Sequence, residues 1–356
     1  MKVGILTFQN SFNFGAQLQA YALQRTISKI GYSVDVVNYS MTAGNFKSNM
    51  IFKSKLAVKS LLLNPKKFYE FRKRFNLSKI KYNNSNIKEA DDVYDIYVTG
   101  SDQVWNPEYC RKTNVYLLGF TKKSRISYAA SFGVSDIDDC LYDYYKNNLE
   151  KFNAISLREK VGCNLCKKII NRKNYHVIDP TLLLSKEDWN NDFSLKNDCE
   201  KYVLIYMLEY SQDLLDAGIK YANAKKMKYK VISGTPRAFY KKGVQYGMHP
   251  IKFLKLFYNA EYIFTNSFHG TIFSINFKKQ FFVKLLVKNE KVNSRLTDIM
   301  KEFNLEDRFI YNKVDNDNKI NYKKVDSILL EKRKESLNYL ITKLGACCDE
   351  EKRKRN

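Results

Sequence analysis

Two successive α/β units, each built on a parallel sheet, are the architecture that this chain predicts, and three observations carry the prediction. Short apolar runs alternate with helix-period segments along the chain. Val3-Gly4-Ile5-Leu6-Thr7, Ser33-Val34-Asp35-Val36-Val37, Tyr97-Val98-Thr99, Tyr202-Val203-Leu204-Ile205-Tyr206-Met207 and Tyr262-Ile263-Phe264 all read as strands, and strands covered on both faces show such unbroken apolar runs. A length of 356 residues exceeds one ordinary α/β unit and fits two, at roughly 150 residues per domain. A polar stretch at 185–200, rich in Asp, Asn and Lys, is the candidate linker between an N-terminal Rossmann-like domain (1–184) and a C-terminal one (201–324). Two such domains imply an inter-domain cleft, where substrates usually bind.

The first strand runs into the loop Phe8-Gln9-Asn10-Ser11-Phe12-Asn13-Phe14-Gly15. A helix follows, with Leu18, Tyr21, Ala22, Leu23, Ile27 and Ile30 on one side and Gly31 as its C-cap. With the strand after it, this is a β-α-β unit whose crossover should be right-handed. Its loop lacks G-x-G-x-x-G, so no dinucleotide cofactor is indicated. Asn13 and Gly15 could present backbone N–H groups to a ligand at the helix start, although a plain turn with an N-cap is the commoner use of such residues. The strand ending at Thr99 opens into Gly100-Ser101-Asp102-Gln103-Val104-Trp105-Asn106. Ser101, Asp102 and Gln103 suggest a polar pocket with Trp105 as an aromatic wall, the alternative being a β-turn with an Asp cap. Residues 125–133 form a further strand, residues 140–152 a helix, and Ala154-Ile155-Ser156-Leu157 a strand that places Arg158 at a carboxyl edge. An arginine there can bind a carboxylate or phosphate bidentately, or pair with its neighbour Glu159.

In the second half, helices are expected at 213–227 and 250–258, with strands at 229–233 and 280–285. Between them the strand Tyr262-Ile263-Phe264 gives way to Thr265-Asn266-Ser267-Phe268-His269-Gly270-Thr271 and a helix. His269, one of only three histidines, therefore stands at a strand-to-helix junction. Ligands bind at such carboxyl edges, and exposed N–H groups of the helix start favour an anion. Asn266, Ser267, Gly270 and Thr271 share that turn. Asn293 or Ser294 is the expected N-cap of the next helix, leaving Arg295 near a helix start, where the dipole disfavours a cation unless an anion is bound. A final helix (325–348) and a charged, frayed tail (349–356) close the chain.

Composition narrows the function classes. The chain is 44% hydrophobic and 14% aromatic, enough for buried cores. No N-terminal signal and no apolar run approaching ~18 residues is visible, so a soluble, cytoplasmic protein is expected. Seven cysteines at irregular spacing argue against a disulfide framework. Cys163-Asn164-Leu165-Cys166 lacks the second pair that a metal site requires, and His176 is isolated; no metal is expected. The net charge of +24 is concentrated: residues 45–82 carry eleven Lys or Arg against one acid, Glu70. Apolar residues such as Phe52, Phe68, Phe71 and Phe75 are interleaved at helical spacing. A basic helical insertion of this kind suits peripheral contact with the inner face of an anionic membrane, or is simply a solvated insertion.

Taken in order, seven stretches resemble the polysaccharide pyruvyl transferase family. They are Asn13-Phe14-Gly15-Ala16-Gln17-Leu18-Gln19-Ala20-Tyr21-Ala22-Leu23, Gly100-Ser101-Asp102-Gln103-Val104-Trp105-Asn106 and Ser127-Tyr128-Ala129-Ala130-Ser131-Phe132-Gly133, followed by Ser156-Leu157-Arg158-Glu159, Asp179-Pro180-Thr181-Leu182-Leu183, Ser267-Phe268-His269-Gly270 and Ser294-Arg295-Leu296. The resemblance implies two Rossmann-like domains in a GT-B-like arrangement. It also implies phosphoenolpyruvate as donor substrate and a glycan or lipid-linked oligosaccharide as acceptor, the product being a pyruvate ketal on a surface polysaccharide. Protonating the donor's methylene carbon requires a general acid titrating near neutrality, which suits a histidine, and cations must hold the carboxylate and phosphate. By carry-over His269 is the acid and Arg158 a donor ligand, with Arg295 a further ligand candidate. No cofactor is required. The studied members resemble Arg-x-His at the histidine motif, where this chain has Ser267; Arg295, Arg237 or Lys288 could supply that charge. The competing functions are a GT-B glycosyltransferase using a nucleotide-sugar and, from another class, a basic nucleic-acid-binding protein. No nucleic-acid module is recognisable, so nucleic acid is not the expected partner.

Overall fold

The computed structural model describes residues 1–41, 64–197, 200–234, 243–286, 290–311, 314 and 317–355. Its N-terminal half is a parallel sheet with strand order β2-β1-β3-β4, formed by β1 (Lys2–Leu6), β2 (Ser33–Val36), β3 (Ile96–Thr99) and β4 (Ser124–Ser127). Parallel bridges Ile126–Ala154 and Ala130–Leu157 extend it to the pair β5 (Ser156–Leu157) and β6 (Tyr175–His176). The C-terminal half is a second parallel sheet, ordered β11-β10-β7-β8-β9. Its strands are β7 (Tyr202–Met207), β8 (Lys228–Ser233), β9 (Val244–Gln245), β10 (Tyr262–Thr265) and β11 (Gln280–Val283). Strand order reverses between β1 and β3 in the first sheet and between β7 and β10 in the second. Those are the switch points, whose carboxyl edges form ligand crevices.

Helix α1 (Phe14–Lys29) is capped by Asn13, whose Oδ1 accepts from Ala16 N. Helix α2 (Pro65–Arg72) packs onto it: Phe68 and Phe71 are buried, Phe14 stacks on Phe68 at 5.2 Å, and Phe71 meets Tyr21 and Phe193. Part of the expected membrane face is thus used inside the protein. Phe68, Phe71 and Phe75 belong to the protein core, because aromatic rings on α1 and beyond it offer a dry surface closer than any bilayer; the stretch 42–63 lies outside the described residues.

The polar stretch expected as a linker holds a helix. After α3 (Pro107–Cys110), α4 (Tyr142–Leu149), α5 (Lys160–Ile170) and α6 (Pro180–Leu183) comes α7 (Lys186–Phe193), inside the polar stretch. Ser185 and Asp188 form a capping box, a pattern legible in the sequence but masked by the surrounding polarity. Trp189 is fully buried and donates its indole N–H to the Thr181 carbonyl at 3.1 Å.

The second half adds α8 (Gln212–Ala224), α9 (Pro250–Asn259), α10 (Phe268–Asn276) and α11 (Glu290–Glu302). The last helix, α12 (Tyr322–Arg353), crosses back to the first sheet. Tyr339 donates to the Ser127 carbonyl at 2.8 Å, Ser336 Oγ accepts from Ile178 N at 3.1 Å, and Arg333 donates to Asn276 Oδ1 at 2.8 Å. The tail expected to fray is helical through Arg353. Glu351, buried, accepts from both Ser124 N (2.9 Å) and Ser124 Oγ (2.7 Å), so ordering the last turns satisfies the start of β4. Among the described residues no helix is long and apolar enough to cross a membrane.

Candidate functional site

The two switch points face each other. From the first sheet come the start of α1, with Asn13 and Gly15, and the turn after β3, with Ser101, Asp102 and Gln103. From the second come Leu208 after β7 and the run Asn266–His269 after β10. A cavity of about 140 Å³ between them is lined by Asn13, Asp102, Gln103, Asn266, His269 and Arg295, among others, well above the roughly 10–15 Å³ that admits one water. A larger cavity, about 600 Å³, lies beside α8. Its enclosed cation, Lys284, is already taken by Asp213 (3.3 Å) and the Tyr311 carbonyl (3.1 Å), which leaves the smaller cavity as the candidate site.

His269 sits in the first turn of α10, which Ser267 caps by accepting from Gly270 N at 3.3 Å. Its ring lies against Gly15: a Cβ placed there would stand 2.1 Å from Nδ1 and 2.3 Å from Cγ. Nε2 is enclosed, makes no hydrogen bond, and lies 3.7 Å from Asp179 Oδ2. That distance is an electrostatic contact rather than a hydrogen bond.

Asp179 anchors the polar floor. It caps α6, its Oδ1 accepting from Thr181 N (3.0 Å) and Thr181 Oγ1 (2.8 Å). Its Oδ2 accepts from Ser101 Oγ (3.1 Å) and Arg158 Nη1 (2.9 Å). Burial opposes the carboxylate, yet the charges of His269 and Arg158 and the Thr181 N–H outweigh it and hold its pKa well below the usual carboxylate range. Because the folded pKa is depressed, the stability it contributes is present in full above the unfolded pKa of about 3.9 and is lost as pH falls toward the folded value. Asp179→Asn should therefore cost about 3 kcal/mol or more at neutral pH, by leaving Arg158 under-compensated. Urea unfolding measures this; a loss below about 1 kcal/mol would contradict the account.

Arg158 pairs with Glu159 through Nε (2.9 Å) as well as with Asp179, with its side chain almost wholly enclosed. The pairing with Glu159 that the sequence allowed is thus present, and only Nη2 lacks a partner. Its guanidinium lies 4.5 Å over the Phe268 ring, and Arg295 lies 5.9 Å from the same ring. Arg295 differs in its partners. With the Gln103 amide oriented by its hydrogen bonds, the Gln103 oxygen accepts from Nη1 (3.2 Å) and Nη2 (3.1 Å) of Arg295. Nε is enclosed and unpartnered, and among the described residues no carboxylate lies within ion-pair distance of this arginine. Burial and the nearby charge of Arg158 push its pKa down. Gln103 is itself seated over Gly133, where φ is +68° and a Cβ would meet its amide at 2.6 Å.

Several expectations are corrected here. Trp105 is no pocket wall: it is fully buried among Phe132 and Phe152, its indole N–H donating to the Tyr116 carbonyl at 3.0 Å. Ser101 is likewise buried, serving Asp179 rather than the cavity. Gly15 presents its Cα face to the His269 ring. Gly270 and Thr271 point into the core; a Cβ on Gly270 would lie 2.4 Å from Thr265 Oγ1, and Thr271 Oγ1 donates to the Ser267 carbonyl at 3.1 Å. Asn266 lines the cavity while clamping β7, accepting from Leu208 N (2.8 Å) and donating to the Glu209 carbonyl (2.6 Å). Arg295 is not at a helix start. α11 begins at Glu290, and Asn293 spends its amide on Leu286 N (2.9 Å) and O (2.8 Å) instead of capping. Arg237 and Lys288 lie outside the described residues. Asp179 is the site residue that motif reading alone misses, although an Asp-Pro step after a strand is a helix-cap signal. His176, read as isolated, holds the Arg158 carbonyl at 3.1 Å and faces Glu302 at 3.6 Å.

Comparison with known proteins bears on the family and the fold. The family model for polysaccharide pyruvyl transferase matches residues 13–284. The solved structure of Methanocaldococcus jannaschii UDP-GlcNAc 2-epimerase in complex with UDP-GlcNAc and UDP superposes with a TM-score of 0.50 at 14% identity, over 97% of this chain and 100% of that one. UDP-GlcNAc 2-epimerase from Neisseria meningitidis bound to UDP-GlcNAc gives 0.50 at 10% identity, over 96% and 94%. At such identities the likeness is one of fold, two Rossmann-like halves in a GT-B-like arrangement. No curated protein sequence matches the chain.

Proposed function

The chain belongs to the polysaccharide pyruvyl transferase family, and on that premise we propose that it moves the enolpyruvyl group of phosphoenolpyruvate onto two hydroxyls of a sugar in a cell-surface polysaccharide or its lipid-linked precursor. The protein is a transferase of that family; donor and ketal chemistry are our reading. One observation supports them above the others: an imidazole with an unbonded Nε2 shares a cavity with an arginine that has no acidic partner among the described residues.

In this reading His269, held against Gly15 and backed by Asp179, protonates the donor's methylene carbon. Positive charge develops at the carbon bearing the phosphate oxygen, one sugar hydroxyl adds there, phosphate leaves, and the second hydroxyl closes the ring. Arg295 supplies the charge that Ser267 does not, because Ser267 is committed to capping α10. Arg158 serves mainly by fixing Asp179, with one nitrogen left for the donor. Its removal would strand two buried carboxylates, so Arg295 is the better probe. Arg295→Gln is expected to weaken phosphoenolpyruvate binding by about 10–100-fold, the worth of a charge-assisted hydrogen bond, with thermal stability retained.

A thermal-shift screen of phosphoenolpyruvate against nucleotide-sugars, read beside phosphate release with sugar acceptors, tests the donor. Stabilisation by phosphoenolpyruvate that is lost in Arg295→Gln supports the reading. Stabilisation by a nucleotide-sugar alone would replace it with a glycosyl transfer.

A further inference from the structure

We propose that Asp102 is the general base that takes the proton from the first acceptor hydroxyl, an inference that rests on the transfer reading above. Ketal formation consumes two hydroxyl protons and delivers one to the donor's methylene carbon, so the starting site needs a proton donor and a separate proton acceptor at once. His269 begins as the donor. The acceptor must be a second group that faces the same space, and Asp102 is the carboxylate that lines the cavity with His269 and Arg295.

The backbone at Asp102 is built for aim rather than economy. Its φ is +78°, in the left-handed region that a non-glycine residue adopts at a cost and that functional sites commonly hold under strain. The surrounding bonds fix it there. The Asp102 carbonyl accepts from Val104 N (2.8 Å) and Ser131 N (3.1 Å), tying the turn to the neighbouring strand through the Asp102–Ala130 bridge. Oδ1 accepts from Gln103 N at 2.8 Å, and among the described residues Oδ2 makes no hydrogen bond or ion pair, leaving a lone-pair oxygen for a ligand. The carboxylate also lies close enough to Arg158 and Arg295 to favour their charged forms. Had the turn alone been at stake, glycine would serve this φ at less cost.

The steps balance. His269 gives its proton to the methylene carbon, and the first hydroxyl oxygen bonds to the adjacent carbon as its proton passes to Asp102. The carbon–oxygen bond to phosphate then breaks, the second hydroxyl oxygen bonds to the same carbon, and its proton returns His269 to its starting form. The proton on Asp102 leaves with phosphate or to solvent.

The test compares wild type, Asp102→Asn and Asp102→Gly with phosphoenolpyruvate and methyl hexopyranosides as acceptor probes, by phosphate release, donor KM, Tm and rescue with formate. Both variants should lose about 10²–10⁴-fold in kcat with donor KM nearly unchanged. Asp102→Gly should keep or raise Tm, since glycine accepts this φ, and added formate should restore its turnover at least about tenfold by occupying the vacated carboxylate position. Turnover near wild type in either variant overturns the proposal, as does a loss in Asp102→Gly that formate leaves untouched. If wild type transfers only from a nucleotide-sugar, the donor reading fails by itself. The same variants and formate rescue, run with that donor, still decide the role of Asp102, because deprotonating an acceptor hydroxyl is common to both reactions.

Discussion

Replacing His269 by alanine or asparagine is expected to reduce phosphate release from phosphoenolpyruvate by about 10²–10⁴-fold, the usual contribution of a positioned general acid, while the protein remains folded. The fold should survive because the imidazole carries little structural load. Its Nε2 makes no hydrogen bond, and Asp179 keeps Arg158, Ser101 and both Thr181 donors when the ring is gone. A coupled phosphate assay beside a circular-dichroism melt measures both quantities. Activity within tenfold of wild type in the asparagine variant, with an unchanged melt, would remove His269 from the chemistry.

Gly15→Ala should come close to the same loss without touching any polar group. The added Cβ would sit 2.1–2.4 Å from three atoms of the His269 ring, far inside van der Waals contact, so the ring must swing away from the cavity. Gly15 lies within α1 and is not among the residues with positive φ, so the helix itself accepts alanine and gains up to about 1 kcal/mol of propensity. An inactive protein with an equal or higher Tm is therefore expected, a combination that general destabilisation cannot produce. Full activity in Gly15→Ala would show that the ring has room elsewhere and that its seat against α1 does not matter.

Much of this is legible in the sequence. The unbroken apolar runs of β1, β3, β7 and β10 marked buried parallel strands, and Asn13, Ser267 and Asp179 stand at helix starts that their residue types announce. The misreadings have physical causes. Trp105 reads as a pocket wall from its polar neighbours, but its rings fill a core that periodicity over one short strand cannot reveal. α7 was hidden by its polarity, since only Trp189 and Phe193 face inward. Arg295 was placed near a helix start because Asn293 resembles a cap, whereas that side chain is drawn off by the Leu286 backbone.

Local patterning was enough for the alternation of strands and helices, the parallel sheets, the family, and the position of His269 at a strand end, because each depends on residues within a few positions of one another. Packing between the halves decided the rest. It set which face of Gly15 meets His269, brought Arg295 onto the Gln103 amide, and placed Asp102 across the cavity from the imidazole. Those relations join residues about 170 to 250 positions apart in the chain, and steric contact or a shared cavity over such separations exists only once the two sheets have met.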